Sequence, residues 1–162
     1  MVLCFKDRQR VVFSRVPREN TYMALDLSSL KKSIAALDNS INSYSGNKNN
    51  KSLTGRDLET MKAGIIQNFE VAYEMCWKFM KRWIEEEVSP NIVDGVPRRE
   101  LYRVSAENLL ISDVDLWMDY HKARNLTAHT YNSGNADCAS EAAMKFIHDA
   151  KKFLKTLEAK ND

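Results

Sequence analysis

One apolar stripe constrains this chain more than any other feature. Leu58, Met61, Ile65, Phe69, Ala72, Cys76, Met80 and Trp83 recur at steps of three and four residues. That period keeps a single face of an α-helix apolar over about nine turns. The spacing predicts a helix starting after Thr54 and running to about Val88, where Ser89-Pro90 stops it. Gly64 weakens the run without breaking it. A helix this long exceeds the usual globular length, so it sets the length of whatever packs beside it.

The rest of the chain repeats the helical period in shorter pieces. Leu27, Leu30, Ile34, Leu37 and Ile41 form a first stripe, with Ser28 or Ser29 near its start. The Ser/Asn/Gly/Lys-rich stretch from Ser43 to Ser52 reads as a loop. Pro97 is expected at the first position of a third helix, where a missing N–H costs nothing, continuing through Leu101 and Val104 towards Leu109. Ser112 with Asp115 predicts a capped start for a fourth helix, Asp113 to about Tyr131, ended by Asn132-Ser133-Gly134-Asn135. A fifth helix, from about Asp137 to Ala159, carries Ala139, Ala143, Phe146, Ala150, Phe153 and Leu157. Alternation of polar and apolar residues is convincing only at 9–16, and no internal repeat is present. The fold class expected is all-α, an up-and-down bundle of four or five helices.

Length and composition narrow the class further. A chain of 162 residues fits one domain with one core, and 44% hydrophobic with 28% charged residues is an ordinary globular composition. No apolar run approaches the roughly 20 residues of a membrane helix, and the N-terminus has no secretory-signal pattern. Cys4, Cys76 and Cys138 are odd in number, widely spaced and lack a CxxC pair. They argue against a disulfide frame or zinc site and fit a cytoplasmic location.

Charge is uneven. Residues 1–22 carry net +3, which leaves the remainder at −1 given +2 overall. Charge therefore gives no support for a nucleic-acid surface on the folded part. Because 1–22 also lacks a helical period, it reads as a disordered or non-native extension, with 23–162 as a single helical domain.

Chemistry concentrates in the fourth helix. On a regular helix Arg124 and Tyr131, seven apart, fall within about 20° of each other, and Asn125 and His129, four apart, share the neighbouring line. One face would then present a guanidinium, an amide, an imidazole and a phenol. His suits proton transfer near neutral pH, and Arg presents a planar donor fork for phosphate. Together they suffice for metal-independent RNA cleavage, with Arg stabilising charge growing on the phosphate. The same polar pattern equally describes a solvated helix surface, and from the residues alone both readings stand. On the long helix, Phe69, Tyr73 and Trp77 read as core packing; Glu70, Tyr73 and Glu74 are alternatively placed to contact the motif helix from behind. Glu85-Glu86-Glu87 and Lys151, Lys152 and Lys155 read as solvated faces. His121 and His129 are eight apart without a carboxylate pair in ligand spacing, so no metal is expected, and His148 is given no role. No Gly-rich phosphate loop is present, so no cofactor is expected either.

The string Arg124-Asn125-Leu126-Thr127-Ala128-His129-Thr130-Tyr131 resembles the signature of HEPN proteins, an Arg followed by a His four to six positions on. The tyrosine two beyond the histidine is similar to the version in HEPN toxins paired with minimal nucleotidyltransferases. A second block, Gln67 to Lys78 with Phe69, Glu70, Tyr73, Glu74 and Trp77, resembles the long helix of the nucleotidyltransferase substrate-binding protein family. The resemblance covers residues 24–158. It implies a homodimer through the motif helices and an endoribonuclease using Arg124, Asn125 and His129. It also implies a minimal nucleotidyltransferase partner that silences the enzyme by transferring AMP to Tyr131, as in a toxin–antitoxin pair. The alternative it implies is a non-catalytic substrate-binding subunit of a two-component nucleotidyltransferase. A bundle serving only as an assembly partner is the third reading.

Overall fold

The computed structural model describes residues 24–129 and 133–161, with the side chains of His129 and Ser133 outside the described set. Tyr131 and residues 1–22 lie outside the described residues, so the readings placed on them are neither met nor contradicted. Five α-helices carry the chain: α1 (Ser28–Asn47), α2 (Gly55–Glu87), α3 (Arg98–Glu107), α4 (Val114–Leu126) and α5 (Ser133–Lys160). Short 3₁₀ turns at Pro90–Ile92 and Thr127–His129 flank α3 and α4, and no strand occurs among the described residues. The all-α class expected from the periodicity is what forms.

Helix α2 is the axis. At 33 residues it is about 50 Å long, and α1 and α5 pack along it while α3 and α4 close the remaining side. Its start is a capping box: Asp57 N–H donates to Thr54 Oγ1 at 3.3 Å, and Thr54 N–H donates to Asp57 Oδ2 at 2.7 Å. The Thr54 hydroxyl, which donates to Asp57 Oδ2 at 2.7 Å, and then the Thr54 N–H hold the Asp57 carboxyl below its ordinary pKa. The predicted stripe faces the core, where Ile65, Phe69, Ala72, Cys76 and Met80 are fully buried. Trp117 of α4 joins the layers, packing on Tyr102, Tyr120, Phe146 and Phe153 with centroids 5.6–6.0 Å apart. Tyr120 donates to Asp149 Oδ2 at 2.6 Å, pinning α4 to α5.

Several boundaries differ from expectation, each for a local reason. Helix α1 runs on to Asn47 through the segment read as a loop, because Tyr44 packs against the core. Its start uses neither Ser28 nor Ser29 as cap; Asp26 Oδ1 accepts from Ser28 N–H at 2.9 Å instead. Pro97 is the N-cap of α3, one position before its expected place. The helix stops at Glu107, and the Leu109 and Leu110 N–H groups donate back to Ala106 and Ser105 carbonyls at 3.0 and 2.9 Å. That is a Schellman closure with Leu109, not glycine, in the left-handed region at φ 59°. The cap of α4 is Asp113, whose carboxylate accepts from Leu116 N–H at 2.9 Å, while Asp115 pairs with Arg99 of α3 at 2.7 Å. Helix α5 starts at Ser133, so Gly134 and Asn135 open a helix instead of ending one. Glu85 and Glu86 are matched within their own helix by Lys81 and Arg82, and Lys151 reaches Asp38 of α1 at 2.7 Å. No helix among the described residues is long and apolar enough to cross a membrane.

Candidate functional site

Helix α4 turns Trp117, Tyr120 and Ala123 into the core. That rotation leaves His121, Arg124 and Asn125 towards the edge where α4 meets α2 and α3. The α-helix ends at Leu126, and the Thr127 N–H bonds the Arg124 carbonyl, which tightens the next three residues into a 3₁₀ turn. A 3₁₀ turn advances by about 120° per residue instead of 100°. The regular-helix argument that aligned Asn125 with His129 and Arg124 with Tyr131 therefore stops at Leu126.

The sharp end of α4 is fixed from α2. Thr127 is buried, and its hydroxyl lies within hydrogen-bonding reach of the Glu70 carboxylate and, at 2.6 Å, of the Arg124 carbonyl. It has one proton and donates to one acceptor at a time. One turn further along α2, Glu74 holds Arg124: Oε1 stands 3.2 Å from Nη2, and Oε2 accepts from Trp77 Nε1–H at 2.7 Å. Both oxygens of Glu74 are thus engaged, and the guanidinium is fixed in place. Arg124 Nε is buried and has no acceptor among the described residues.

A second chain of contacts runs beside this pair. The Tyr102 and Tyr73 hydroxyls hydrogen-bond to each other, Tyr73 lies 2.8 Å from His121 Nδ1, and Asn125 Nδ2 lies 3.4 Å from His121 Nε2. The Tyr73 and His121 rings stack with centroids 5.9 Å apart. Burial first, then the positive charges of Arg98 and Arg124, hold the His121 pKa below the ordinary histidine value. Its imidazole is therefore neutral near pH 7, with one donor and one acceptor nitrogen. Burial raises the pKa of Tyr73 and of Tyr102, so both phenols keep their protons. Arg98, the first residue of α3, lies over Trp77 with its guanidinium carbon 3.8 Å from the ring centroid.

Of the residues singled out in the sequence, Arg124, Asn125, Glu70 and Tyr73 meet at this junction of α2 and α4. Arg124 pairs with Glu74, Asn125 faces His121, Glu70 faces Thr127 and Tyr73 faces His121. His129 closes the 3₁₀ turn with its side chain outside the described set, and Tyr131 lies beyond it. His121 and Arg98 are the members that sequence reasoning missed. His121 stands four residues before Asn125 on one helical line, a spacing that could have drawn it in. Arg98 has no comparable local signal. Among the described residues no group of three or more His, Cys, Asp or Glu side chains is arranged to hold a metal ion.

Comparison with known proteins gives this junction a context. A probable ribonuclease HepT of Haemophilus influenzae is 29% identical over 104 residues, covering 64% of this chain and 71% of that protein. A solved Haemophilus influenzae structure, which reveals the fold of a substrate-binding domain of a nucleotidyltransferase, superposes with a TM-score of 0.76 at 25% identity. It covers 82% of this chain and 99% of its own. A crystal structure from Thermus thermophilus shares the fold, with a TM-score of 0.62 at 21% identity over 79% of this chain and 98% of that one. The match that spans nearly the whole bundle, α1 to α5, is to a family: over residues 25–159 the chain belongs to the nucleotidyltransferase substrate binding protein-like family.

Proposed function

We propose that this protein is the HEPN-type half of a toxin–antitoxin pair, a metal-independent endoribonuclease kept silent by a minimal nucleotidyltransferase. The observation that carries the reading is Arg124: a guanidinium held by Glu74 at 3.2 Å on the motif helix, with 36% of its side chain still exposed. That is a preorganised seat for a phosphate oxygen. His129, five residues on in the motif, moves the proton of the 2′-OH or of the leaving oxygen, and Asn125 orients the phosphate or ribose without adding charge. The likeness to a probable ribonuclease supports the same chemistry. Tyr131 is the site at which the partner transfers AMP. An adenylate there, seven residues after Arg124 in the motif, would add negative charge and bulk that compete with an RNA phosphate for the guanidinium. Two copies meeting through the motif helices would bring two such sets together, covering Leu126, a large apolar side chain exposed at the end of α4.

The test is cleavage of RNA in EDTA by the unmodified protein beside its His129→Ala variant. Cleavage by the first and none by the second is the expected result; equal cleavage, or none by either, removes the enzymatic reading. Intact mass after incubation with the partner enzyme and ATP reads the modification. A Tyr131→Phe protein that still gained one AMP would overturn the acceptor assignment. The second reading, a non-catalytic substrate-binding subunit, is favoured by the fold match to such a domain and by the net charge of −1 on residues 23–162. It predicts no cleavage, and transfer to a substrate other than Tyr131.

A further inference from the structure

Beside the Arg124 junction, between α2, α3 and the segment joining them, lies an open groove of about 410 Å³. Its floor is apolar, from Val93, Val96 and Leu101, and its polar rim is Lys81, Arg98 and His121, with Trp77 on the wall. Among the described residues no carboxylate lines it. Four of the other described arginines, Arg82, Arg99, Arg103 and Arg124, each contact an acidic side chain. Lys81 makes only a long contact, 3.5 Å to Glu85 on its own helix. Arg98 forms no ion pair and no side-chain hydrogen bond among the described residues. Its partners are aromatic, the Trp77 ring at 3.8 Å and more distantly the Tyr73 ring at 6.0 Å. Stacking fixes the plane of the guanidinium while leaving its N–H edge unspent.

We propose that this groove binds a nucleotide of the RNA strand next to the one held by Arg124, with its phosphate on Arg98 and Lys81 and its base against Trp77 and the apolar floor. An unspent planar fork, a second ammonium, an aromatic wall and no acidic group are the chemistry of a single-stranded nucleic-acid subsite. Shared side chains make the groove continuous with the cleavage site. Trp77 donates to the same Glu74 that holds Arg124, and His121 on the groove rim contacts Asn125. A strand entering by the groove therefore reaches the motif helix past Glu74, whose two oxygens are already engaged by Trp77 and Arg124. The inference rests on the RNA-cleavage reading of Arg124 and His129 and adds to it where the substrate lies.

Binding is measured separately from cleavage, in the full chain carrying His129→Ala, by fluorescence anisotropy with a short labelled single-stranded RNA. Arg98→Ala is expected to weaken binding about tenfold, the size of a lost charge-assisted contact. It should also lower the slope of log affinity against log salt by about 0.7, one phosphate fewer. Lys81→Ala, at a partly exposed side chain outside the buried core, should act in the same direction and stands in if Arg98→Ala proves poorly folded by circular dichroism. Free AMP, followed through the Trp77 indole N–H resonance, distinguishes a free nucleotide from a strand: a shift with RNA that AMP alone does not reproduce is expected. Unchanged RNA affinity and salt slope in both variants would overturn the subsite, even if the wild-type chain cleaves RNA. Binding of an acidic peptide that depends on Arg98 while RNA binding does not would overturn it too. No cleavage by the wild type, with Arg98-dependent RNA binding intact, would instead remove the catalytic reading and leave the groove.

Discussion

Replacing Tyr73 with Phe removes one oxygen from the centre of the Tyr102–Tyr73–His121 chain and nothing else. Both tyrosines are fully buried, and the Tyr73 hydroxyl touches both the Tyr102 hydroxyl and His121 Nδ1. Tyr73→Phe breaks two hydrogen bonds, each worth about 1 kcal/mol net, and strands the Tyr102 hydroxyl where water does not reach. His121 is only half-buried and can be rehydrated. The expected cost is about 2–3 kcal/mol. Tyr102→Phe breaks one bond and leaves Tyr73 paired with His121, so about 1 kcal/mol is expected. In the double variant the stranded hydroxyl is gone as well. Its cost should be about 2 kcal/mol, less than the sum of the singles by about 1–2 kcal/mol. Urea unfolding of the four proteins measures all three values, with equal slopes expected because the rings remain packed. Additive costs, or a Tyr73→Phe cost below about 0.5 kcal/mol, would refute the claim that one buried chain of hydrogen bonds links these residues.

Three further outcomes are expected. His121 has a folded pKa below its unfolded value, so protonation favours the unfolded chain; stability should be full above about pH 6.5 and fall as the pH drops through that value, and the fall should shrink in His121→Gln. An unchanged acid slope in urea titrations of that variant would show that His121 does not titrate as argued. Leu109→Gly should stabilise the chain by about 0.5–1 kcal/mol, because a left-handed leucine with 76% of its surface exposed packs little and strains its backbone; a lower melting temperature would contradict this. Glu74→Gln keeps an acceptor for Trp77 but loses the charge that fixes Arg124, so on the ribonuclease reading kcat should fall about tenfold or more with a smaller change in KM. A change confined to KM would place Glu74 in binding instead of positioning.

How legible the fold was depended on whether a local rule governed each boundary. The start of α2 was readable because Thr54 and Asp57 satisfy free N–H groups within one turn. The end of α3 was not, because its Schellman closure places a leucine where the rule looks for glycine. Ser133-Gly134-Asn135 has the composition of a loop, yet α5 starts there, with Asp137 bridged to Lys62 of α2 at 2.9 Å. The bridge spans 75 residues of sequence, so no window around Gly134 could show it. The site divides the same way. Arg124 and Asn125 were visible because the motif is contiguous. His121 acquires its place from Tyr73, 48 positions away, and Arg98 from Trp77, so neither stood out as a site residue.

These misses share a cause that also explains the site. Helix α2 carries two adjacent stripes. One, with Phe69, Ala72, Cys76 and Met80, is buried in the core and produces the periodicity that dominates the sequence. The other is Glu70, Tyr73, Glu74 and Trp77, at steps of three, four and seven, which places them on one face. In order along the helix they meet Thr127, His121, Arg124 and Arg98. Thr127 sets where α4 ends, His121 backs Asn125, Arg124 is held and Arg98 is stacked at the groove. Thr127, His121, Arg124 and Arg98 are therefore each met by a side chain of one rigid helix. A regular-helix projection of α4 applies only as far as Leu126, because the chain then tightens into a 3₁₀ turn whose first residue, Thr127, is bonded to Glu70 on another element. Since α2 is also the core's axis, the geometry of the junction is tied to the packing of the whole bundle. A core change along Phe69 to Met80 can therefore disturb the site without touching it.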